Sequence, residues 1–384
     1  MRILVVSDLP QFVTGGAEMQ AARLIEAWLD AGHEVRCLGR RMGRGPVKLG
    51  RHALPVHRIH VSSLLGRWGR AASYFLSLAW LLLRHRRWAD VVYTRFLGEA
   101  AATAALLKAI GVLRVPLVAT PANTRGNGDT NLLRSLPFGR RLVRLLDRHC
   151  DAINLIADDM VDELRMAGFS GANFSRIPNG IPLGIVPMRA ATAMPNFVAV
   201  GRFTPQKGYD VLLRAMSLIR DRIAPGQVWM IGDGPERERL LALSNDLQVG
   251  DRIVWHGELP QPQVAHLLGQ AHLFLLPSRY EGLSNAGLEA MERGLPLLLT
   301  QCGGLDRHID AGMGWVVPPE DATALADALS QAVATGPHGL LEMGGRARQY
   351  AERTFDMSVV AGRYLALFER LRGGKPDIAR GPAA

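Results

Sequence analysis

Residues 281–296 read EGLSNAGLEAMERGLP, and this stretch predicts a turn that opens into a short helix. Ser284 or Asn285 can cap the helix start, because both side chains accept hydrogen bonds from first-turn N–H groups. Gly294, with Pro296 beyond it, marks the predicted helix end. The stretch therefore predicts a loop-to-helix junction in which the first N–H groups of the helix face the loop.

The start of this helix is suited to an anion. The first N–H groups of a helix lack intrahelical partners, and the helix dipole favours negative charge at the same end. Glycines next to the junction leave room for close backbone approach. We therefore expect residues 283–286 to hold a diphosphate through their backbone, as part of a nucleotide-sugar site. The predicted donor-binding residues at this junction are Gly282, Leu283, Ser284 and Asn285.

Two carboxylates stand eight positions apart on either side of the junction, Glu281 and Glu289. An ionised carboxylate accepts two hydrogen bonds at once, which is what a vicinal diol of a sugar offers. The simpler interpretation is a pair of solvated glutamates on a surface helix. Neighbouring signals are needed to decide between the two.

One such signal lies upstream, where residues 197–216 read FVAVGRFTPQKGYDVLLRAM. The pattern predicts an apolar strand, a glycine turn at Gly201 and an amphipathic helix, with Arg202 and Lys207 on the connecting loop. Arg grips a pair of phosphate oxygens through its planar fork, and Lys adds a movable point charge. The alternative is an ordinary basic loop. A third signal, VWMIGDGP at residues 228–235, is half of a dinucleotide-binding fingerprint and is weak alone.

In order and spacing these elements resemble the second domain of the glycosyltransferase family 4 enzymes, which are retaining transferases with the GT-B fold. The resemblance covers nearly the whole chain and is best over residues 197–318, which include the glycine pair at 303 and 304. It implies catalytic roles for Arg202 and Lys207 at the donor diphosphate and for Glu281 beside the transferred sugar. It also implies that Glu289 holds the ribose hydroxyls.

The N-terminal half agrees in outline. RILVVSD at residues 2–8 predicts a buried strand, and a glycine turn, an amphipathic helix and a further strand follow it. Gly15 and Gly16 match the family's glycine loop, whose backbone amides face donor or acceptor. A tight turn that needs positive φ is the alternative reason for glycine there.

One departure from the family concerns the segment VPLVATPAN, where many members carry a histidine next to the transferred sugar. The corresponding position here is Ala122. Asn123 is predicted to donate a hydrogen bond to the donor, and Arg125 could supply charge, but neither acts as a general base near neutral pH. This puts catalysis by a first-domain histidine in doubt. The family is thought to react on one face without a protein nucleophile, so activity can survive the change, although a binding protein without activity is the alternative.

Alternating strand and helix patterns predict an α/β protein of the GT-B type, with two Rossmann-like, doubly wound parallel-sheet domains facing an interdomain cleft. Prolines around residues 180–195 break the periodicity and suggest the junction. The expected N-terminal, acceptor-side domain is 1–185, joined by a C-terminal helix at 357–372, and the donor domain is 186–356. The tail at 373–384 is expected to be disordered.

Cysteine and metal signals are mostly negative. Three cysteines without paired spacing favour neither a disulfide framework nor a zinc cluster and suggest a reducing compartment. No Asp-x-Asp triplet occurs, so we expect no required metal and no cofactor beyond the substrate. His57 and His60 are interpreted as basic surface residues rather than ligands. The N-terminus reads as a strand and not as a signal peptide, which suggests the cytoplasm.

Positive charge is concentrated in the N-terminal half. Residues 1–190 hold 26 Lys or Arg against 14 Asp or Glu, and residues 35–89 hold twelve Lys or Arg with no acidic residue. A solvated face normally mixes signs. The apolar run SYFLSLAWLLL within that stretch is too short to span a bilayer, but it suits a helix lying in an anionic membrane interface. A buried core helix is the competing interpretation.

These features together predict a peripheral membrane enzyme on the inner face of the plasma membrane. It would transfer a sugar from a nucleoside diphosphate, UDP rather than GDP, to a lipid-linked or growing glycan in cell-envelope or exopolysaccharide synthesis. The expected partners are the nucleotide sugar, the acceptor and an anionic membrane surface. Alternatives from other classes are a sugar-nucleotide epimerase on the same fold, a non-catalytic binder of anionic lipid, and a nucleic-acid binder, for which no motif is present. A phosphorylase with a lysine-bound cofactor is disfavoured, because the four lysines lack an obvious cofactor setting.

Overall fold

The computed structural model of the protein describes residues 1–13, 15–43, 45–62, 66–122, 128–135, 138–185, 196–220 and 227–373. The chain divides into two compact units. The first unit comprises Met1–Gly180 and Met357–Ala384, and the second comprises Ile181–Asp356.

The first unit is built on a parallel sheet. The strands of the first unit are β1 Arg2–Val6, β2 Glu34–Gly39, β3 Val47–Leu49, β4 His52–Leu54, β5 Val56–Arg58, β6 Val91–Arg95, β7 Leu117–Thr120, β8 Ala152–Leu155 and β9 Phe174–Arg176. Among the described residues, seven strands pair in parallel in the order β5-β2-β1-β6-β7-β8-β9, and β3 pairs antiparallel with β4. Strands β6, β7 and β8 are buried along their whole length, as expected for a parallel sheet covered on both faces.

The helices of the first unit are α1 Gly16–Asp30, α2 Gly66–His85, α3 Glu99–Ala109, α4 Asp129–Ser135, α5 Gly139–His149, α6 Met160–Ala167 and the C-terminal helix Met357–Arg372. The C-terminal helix packs against α1 through Trp28, whose ring meets Tyr364 edge-on with ring centroids 5.9 Å apart. The Trp28 indole N–H also points at the carbonyl oxygen of Ala361, 3.4 Å away. These contacts place the C-terminal helix in the core of the first unit.

Helix α2 has one buried face and one exposed apolar face. Leu78, Leu81 and Leu82 are buried, whereas Leu76 and Trp80 expose 66% and 58% of their surface. The buried-core interpretation therefore holds for one face of the helix, while the other face presents large apolar side chains outward. The membrane interpretation remains a prediction. In the part of the chain that the structure describes, no helix is long and apolar enough to cross a membrane.

The second unit repeats the layered design. Its strands are β10 Phe197–Val200, β11 Val228–Ile231, β12 Ile253–Gly257, β13 Leu273–Leu276, β14 Leu297–Thr300 and β15 Gly314–Val317. Its helices are α7 Tyr209–Leu218, α8 Arg237–Asp246, α9 Gln261–Gln270, α10 Asn285–Glu292 and α11 Ala322–Thr354, which is kinked at Gly336. The described strands form one parallel sheet in the order β12-β11-β10-β13-β14-β15. The strand order reverses between β10 and β13, and ligands of such sheets bind beyond the carboxyl ends of the strands at that reversal.

The boundary between the units lies five residues before the predicted one. Ile181 donates its N–H to Phe355 O at 2.8 Å, and Gly184 donates to a Glu292 oxygen at 2.9 Å, so the segment that begins at Ile181 is bonded to the second unit. Sequence periodicity cannot detect this, because the proline-rich stretch carries no pattern. Of the tail expected to be disordered, only Gly373 lies within the described residues.

Candidate functional site

The loop after β10 is held in a fixed shape by two features. Phe203 is fully buried and anchors the loop against Trp255, with ring centroids 5.7 Å apart. Gly208 adopts φ +63°, and a Cβ on it would lie 2.0 Å from the carbonyl oxygen of Pro277. Only glycine fits both the backbone conformation and the close approach. The loop therefore lies directly against the chain that follows β13.

That close approach brings Lys207 to Glu281. Lys207 Nζ lies 2.5 Å from Glu281 Oε1, and Ser278 Oγ donates to the same oxygen at 2.8 Å. The Glu281 N–H donates to Cys302 O at 2.9 Å, which fixes the backbone of the glutamate. The side chains of Lys207 and Glu281 are only 18% and 10% exposed. The two residues are 74 positions apart, yet they form one partly buried charge pair beyond the switch point of the sheet.

Arg279 ties the same two segments together and was not singled out from the sequence. Its guanidinium bonds to both oxygens of Asp210 at 3.0 Å, and it also contacts Glu320 and the carbonyl of Pro205. The bond to Asp210 is the main reason why the pKa of Arg279 is raised further above its usual range. The backbone N–H of Arg279 donates to the backbone oxygen of Gln206 at 2.8 Å. Because its position two residues before Glu281 carries no motif, only the tertiary contacts reveal that it positions the Lys207 loop.

Helix α10 begins where the sequence predicted. Ser284 is the N-cap, because its Oγ accepts from Gly287 N at 3.3 Å, which decides between Ser284 and Asn285. A Cβ at Gly304 would lie 1.6 Å from Gly282 O, so the glycine pair lets the loop after β14 pack on the helix start. Asp306 Oδ1 accepts from the N–H groups of Gly303 and Gly304 at 2.9 and 2.7 Å. Asp306 is a second positioning residue that the sequence did not suggest.

The remaining predicted site residues are distributed over both units. In the second unit, Arg202 is exposed on the loop after β10, Gly201 packs beside Lys207 and Tyr209, and Glu289 is half-buried on α10. Leu283 and Gly282 are buried, and Asn285 is the first residue of α10. Of the residues predicted in this unit, the structure shows Lys207 and Glu281 in direct contact. The others lie on the same loops and on α10.

The glycine loop belongs to the first unit. Gly15 is the residue before α1 and has φ −166°, which is extended backbone, so the turn interpretation that required a positive φ is wrong at this residue. A Cβ on Gly15 would instead lie 2.1 Å from a Glu18 carboxylate oxygen. Gly16 is the first residue of α1. Ala122 lies two residues beyond β7, while Asn123 and Arg125 lie outside the described residues.

Metal ligands and thiols add little to this site. Across the described residues, no group of three or more His, Cys, Asp or Glu side chains could hold a metal ion. Cys37, Cys150 and Cys302 are buried free thiols. The expectation that the reaction needs no metal remains a prediction.

The two parallel sheets, each wrapped by helices and joined by a C-terminal helix that returns to the first unit, define the GT-B class of glycosyltransferases. The chain belongs to glycosyltransferase family 4: residues 14–184 match the model described as Glycosyltransferase Family 4, and residues 194–335 match Glycosyl transferases group 1. The protein is therefore a transferase.

Individual relatives agree with this assignment. The putative colanic acid biosynthesis glycosyltransferase WcaL of Escherichia coli strain K12 is 28% identical over 293 residues, covering 74% of this chain and 71% of that protein. Sucrose-phosphate synthase from Thermosynechococcus elongatus has a TM-score of 0.78 at 21% identity, covering 97% of this chain and 100% of the other. Anabaena HepE in complex with UDP-glucose has a TM-score of 0.76 at 18% identity, covering 96% and 99%. The solved structures show that the fold is shared.

Proposed function

We propose that the protein is a retaining, metal-independent hexosyltransferase that moves a sugar from a nucleoside-diphosphate sugar to a glycan acceptor. The observation that carries the proposal is the Lys207–Glu281 pair beside the start of α10, at the switch point of the second sheet. A cation and a helix N-terminus together favour a diphosphate. Glu281 and Glu289 supply carboxylates on either side of that point for hydroxyl groups.

The proposed reaction transfers one group between two oxygens. The acceptor hydroxyl forms a new bond to the anomeric carbon while the bond from that carbon to the diphosphate oxygen breaks. The acceptor's proton moves to the leaving diphosphate, so no protein base is required and the absence of a histidine at Ala122 is tolerated. Lys207 and Arg202 stabilise the charge that grows on the diphosphate, which is the contribution that raises the rate most.

We propose UDP as the nucleotide and a cell-envelope or extracellular polysaccharide as the product. The UDP-glucose bound by HepE supports a uridine donor, and the colanic acid role in the name of WcaL supports polysaccharide synthesis. Glu289 would hold the ribose hydroxyls, since it lies on α10 one turn beyond the expected diphosphate position.

Replacing Glu289 by Gln tests the donor site. We expect the dissociation constant for UDP, measured by isothermal titration calorimetry, to rise roughly 10- to 100-fold, because hydrogen bonds to a charged acceptor are each worth about 1.5–3 kcal/mol. Glu238→Gln is the matched control, since Glu238 lies on α8 of the same unit with its side chain 87% exposed, and it should leave UDP affinity unchanged. UDP binding that is equal in the Glu289 variant and the wild type would refute the ribose role. Salt-dependent DNA or RNA binding that is indifferent to the change would favour the nucleic-acid alternative.

We further propose that the enzyme is peripherally bound to an anionic membrane through the outer face of α2, with a lipid-linked acceptor. Leu76, Trp80 and Leu83 are spaced four and three residues apart, so they form one exposed apolar stripe. The Arg84 guanidinium lies 5.5 Å from the centre of the Trp80 ring. The absence of any acidic residue in the sequence between 35 and 89 makes the surroundings of the stripe suited to anionic lipid head groups.

Leu76→Glu tests this surface. Burying one leucine side chain is worth about 1.5–3 kcal/mol, so we expect cosedimentation with phosphatidylglycerol-containing vesicles to weaken roughly tenfold or more. Leu218→Glu is the control, because Leu218 is 60% exposed on α7 of the second unit. The proposal fails if both variants bind vesicles like the wild type, or if wild-type binding is as strong on neutral vesicles.

A further inference from the structure

A second cationic residue lies at the carboxyl end of a strand, this time in the first unit. Arg95 is the last residue of β6, and it is only 2% exposed. It is paired in register with Thr120, the last residue of β7. In open parallel sheets, ligands bind beyond this edge. None of the roles assigned above uses Arg95.

The guanidinium of Arg95 is mostly without partners. Its Nη2 donates to Asn179 Oδ1 at 3.2 Å. Its Nε and Nη1 are buried and have no hydrogen-bond partner among the described residues. A buried cation normally forms an ion pair or satisfies its donors, because burial without compensation is costly. Arg95 is therefore a buried cation with two donor nitrogens, Nε and Nη1, that form no hydrogen bond among the described residues.

Asp129, a buried acidic residue that Arg95 attracts, does not supply the missing partner. Asp129 is buried and accepts from the N–H groups of Leu97, at 3.1 Å, and Ala122. Burial raises the pKa of Asp129 to about 6, and attraction to Arg95 is the smallest of the opposing effects. A direct ion pair would move this pKa the other way. Asp129 thus holds the backbone ends of β6 and β7 in place and compensates Arg95 only weakly.

Backbone strain occurs at the next residue. Phe96 has φ +81°, a conformation that non-glycine residues rarely adopt, and its N–H donates to Thr120 O at 2.8 Å. Such outliers persist where the surrounding structure enforces them, and they cluster at binding sites. Here the strained residue directly follows Arg95 in the chain.

We propose that Arg95 is a binding residue for a phosphate-type anion of the acceptor, held at the carboxyl edge of β6 and β7. The inference rests on the proposed function, because it assigns the acceptor's anionic group to the first unit. A phosphate or diphosphate suits Arg95, because its planar fork presents neighbouring N–H donors to a pair of phosphate oxygens. The negative charge of the ligand would then compensate the buried guanidinium.

Calorimetric titration of the full chain with inorganic pyrophosphate tests the proposal. The starting protein is the double variant Arg202→Ala/Lys207→Ala, which removes the cations proposed for the donor diphosphate. We expect it to retain one pyrophosphate site. Adding Arg95→Met should weaken that site at least tenfold, and adding Arg95→Lys should weaken it less, because the charge remains while the fork is lost. Farnesyl diphosphate, titrated in parallel, reports whether the anion is lipid-linked: tighter Arg95-dependent binding than pyrophosphate supports a lipid-linked acceptor, and equal binding supports a free phosphate compound.

Thermal melting separates a binding role from a structural one. If Arg95 serves a ligand, Arg95→Met should melt at the same temperature as its parent or higher, since it removes an uncompensated buried charge. The proposal is overturned if the double variant has no residual site, if that site is indifferent to Arg95→Met, or if both Arg95 variants melt lower and lose binding equally. Failure of the donor assignment is distinguishable, because UDP binding and its dependence on Glu289 report on the second unit alone.

Discussion

Lys207→Ala is expected to lower turnover roughly 10²- to 10³-fold while changing donor affinity less than tenfold, the range found when one donor to a developing oxyanion is removed. Glu281 neutralises Lys207 across 2.5 Å. The lysine therefore gains most when the diphosphate acquires charge on leaving. Initial-rate kinetics with a nucleotide sugar, together with calorimetric binding of UDP, separate the two effects.

Lys48→Ala is the matched control for this variant, because Lys48 is exposed on β3 of the first unit. It should leave both quantities unchanged. We expect the Lys207 variant to keep its fold, because Glu281 retains its hydrogen bond from Ser278. Circular dichroism melts check this expectation. Turnover equal to that of the wild type would exclude Lys207 from the reaction. A loss confined to donor affinity would make it a binding residue only.

Glu292→Ala is expected to destabilise the second unit by about 3–5 kcal/mol, the usual cost of removing one partner from a buried ion pair. Glu292 Oε1 accepts from Arg348 at 3.1 Å and from Gly184 N at 2.9 Å, and its side chain is 5% exposed. Loss of the carboxylate removes the buried partner of the Arg348 guanidinium, which keeps the half-exposed Glu352, and it leaves the Gly184 N–H without its acceptor. For a unit of this size, the melting temperature should fall by roughly 6–20 °C in a calorimetric scan.

Glu352→Ala provides a control on the same arginine. Glu352 Oε1 accepts from Arg348 Nε at 2.7 Å, but its side chain is 44% exposed, and such surface pairs contribute about 0.3–0.5 kcal/mol. The two glutamates thus differ in burial while sharing one partner. Equal melting temperatures for the two variants would show that burial of Glu292 does not govern its contribution.

Much of the fold was predictable because it is encoded locally. The apolar run before Gly201 and the periodic run after Gly208 became β10 and α7, and Ser284 became the cap of α10. Each of these depends on the side chains of a few neighbouring residues. The family resemblance was confirmed over both halves of the chain. The domain boundary was predicted less well, because proline only marks where a pattern stops.

The sequence by itself determined the elements, the family and the residue types available for a phosphate site, because periodicity, caps and glycine turns act over one or two helical turns. Only the tertiary structure decided that Lys207 pairs with Glu281, that Arg279 and Asp306 hold their loops, and that Arg95 is buried with unused donors. These relations join segments tens of residues apart. They depend on the order of the strands in each sheet and on which chain segments pack closely together. Local sequence patterns do not specify either property.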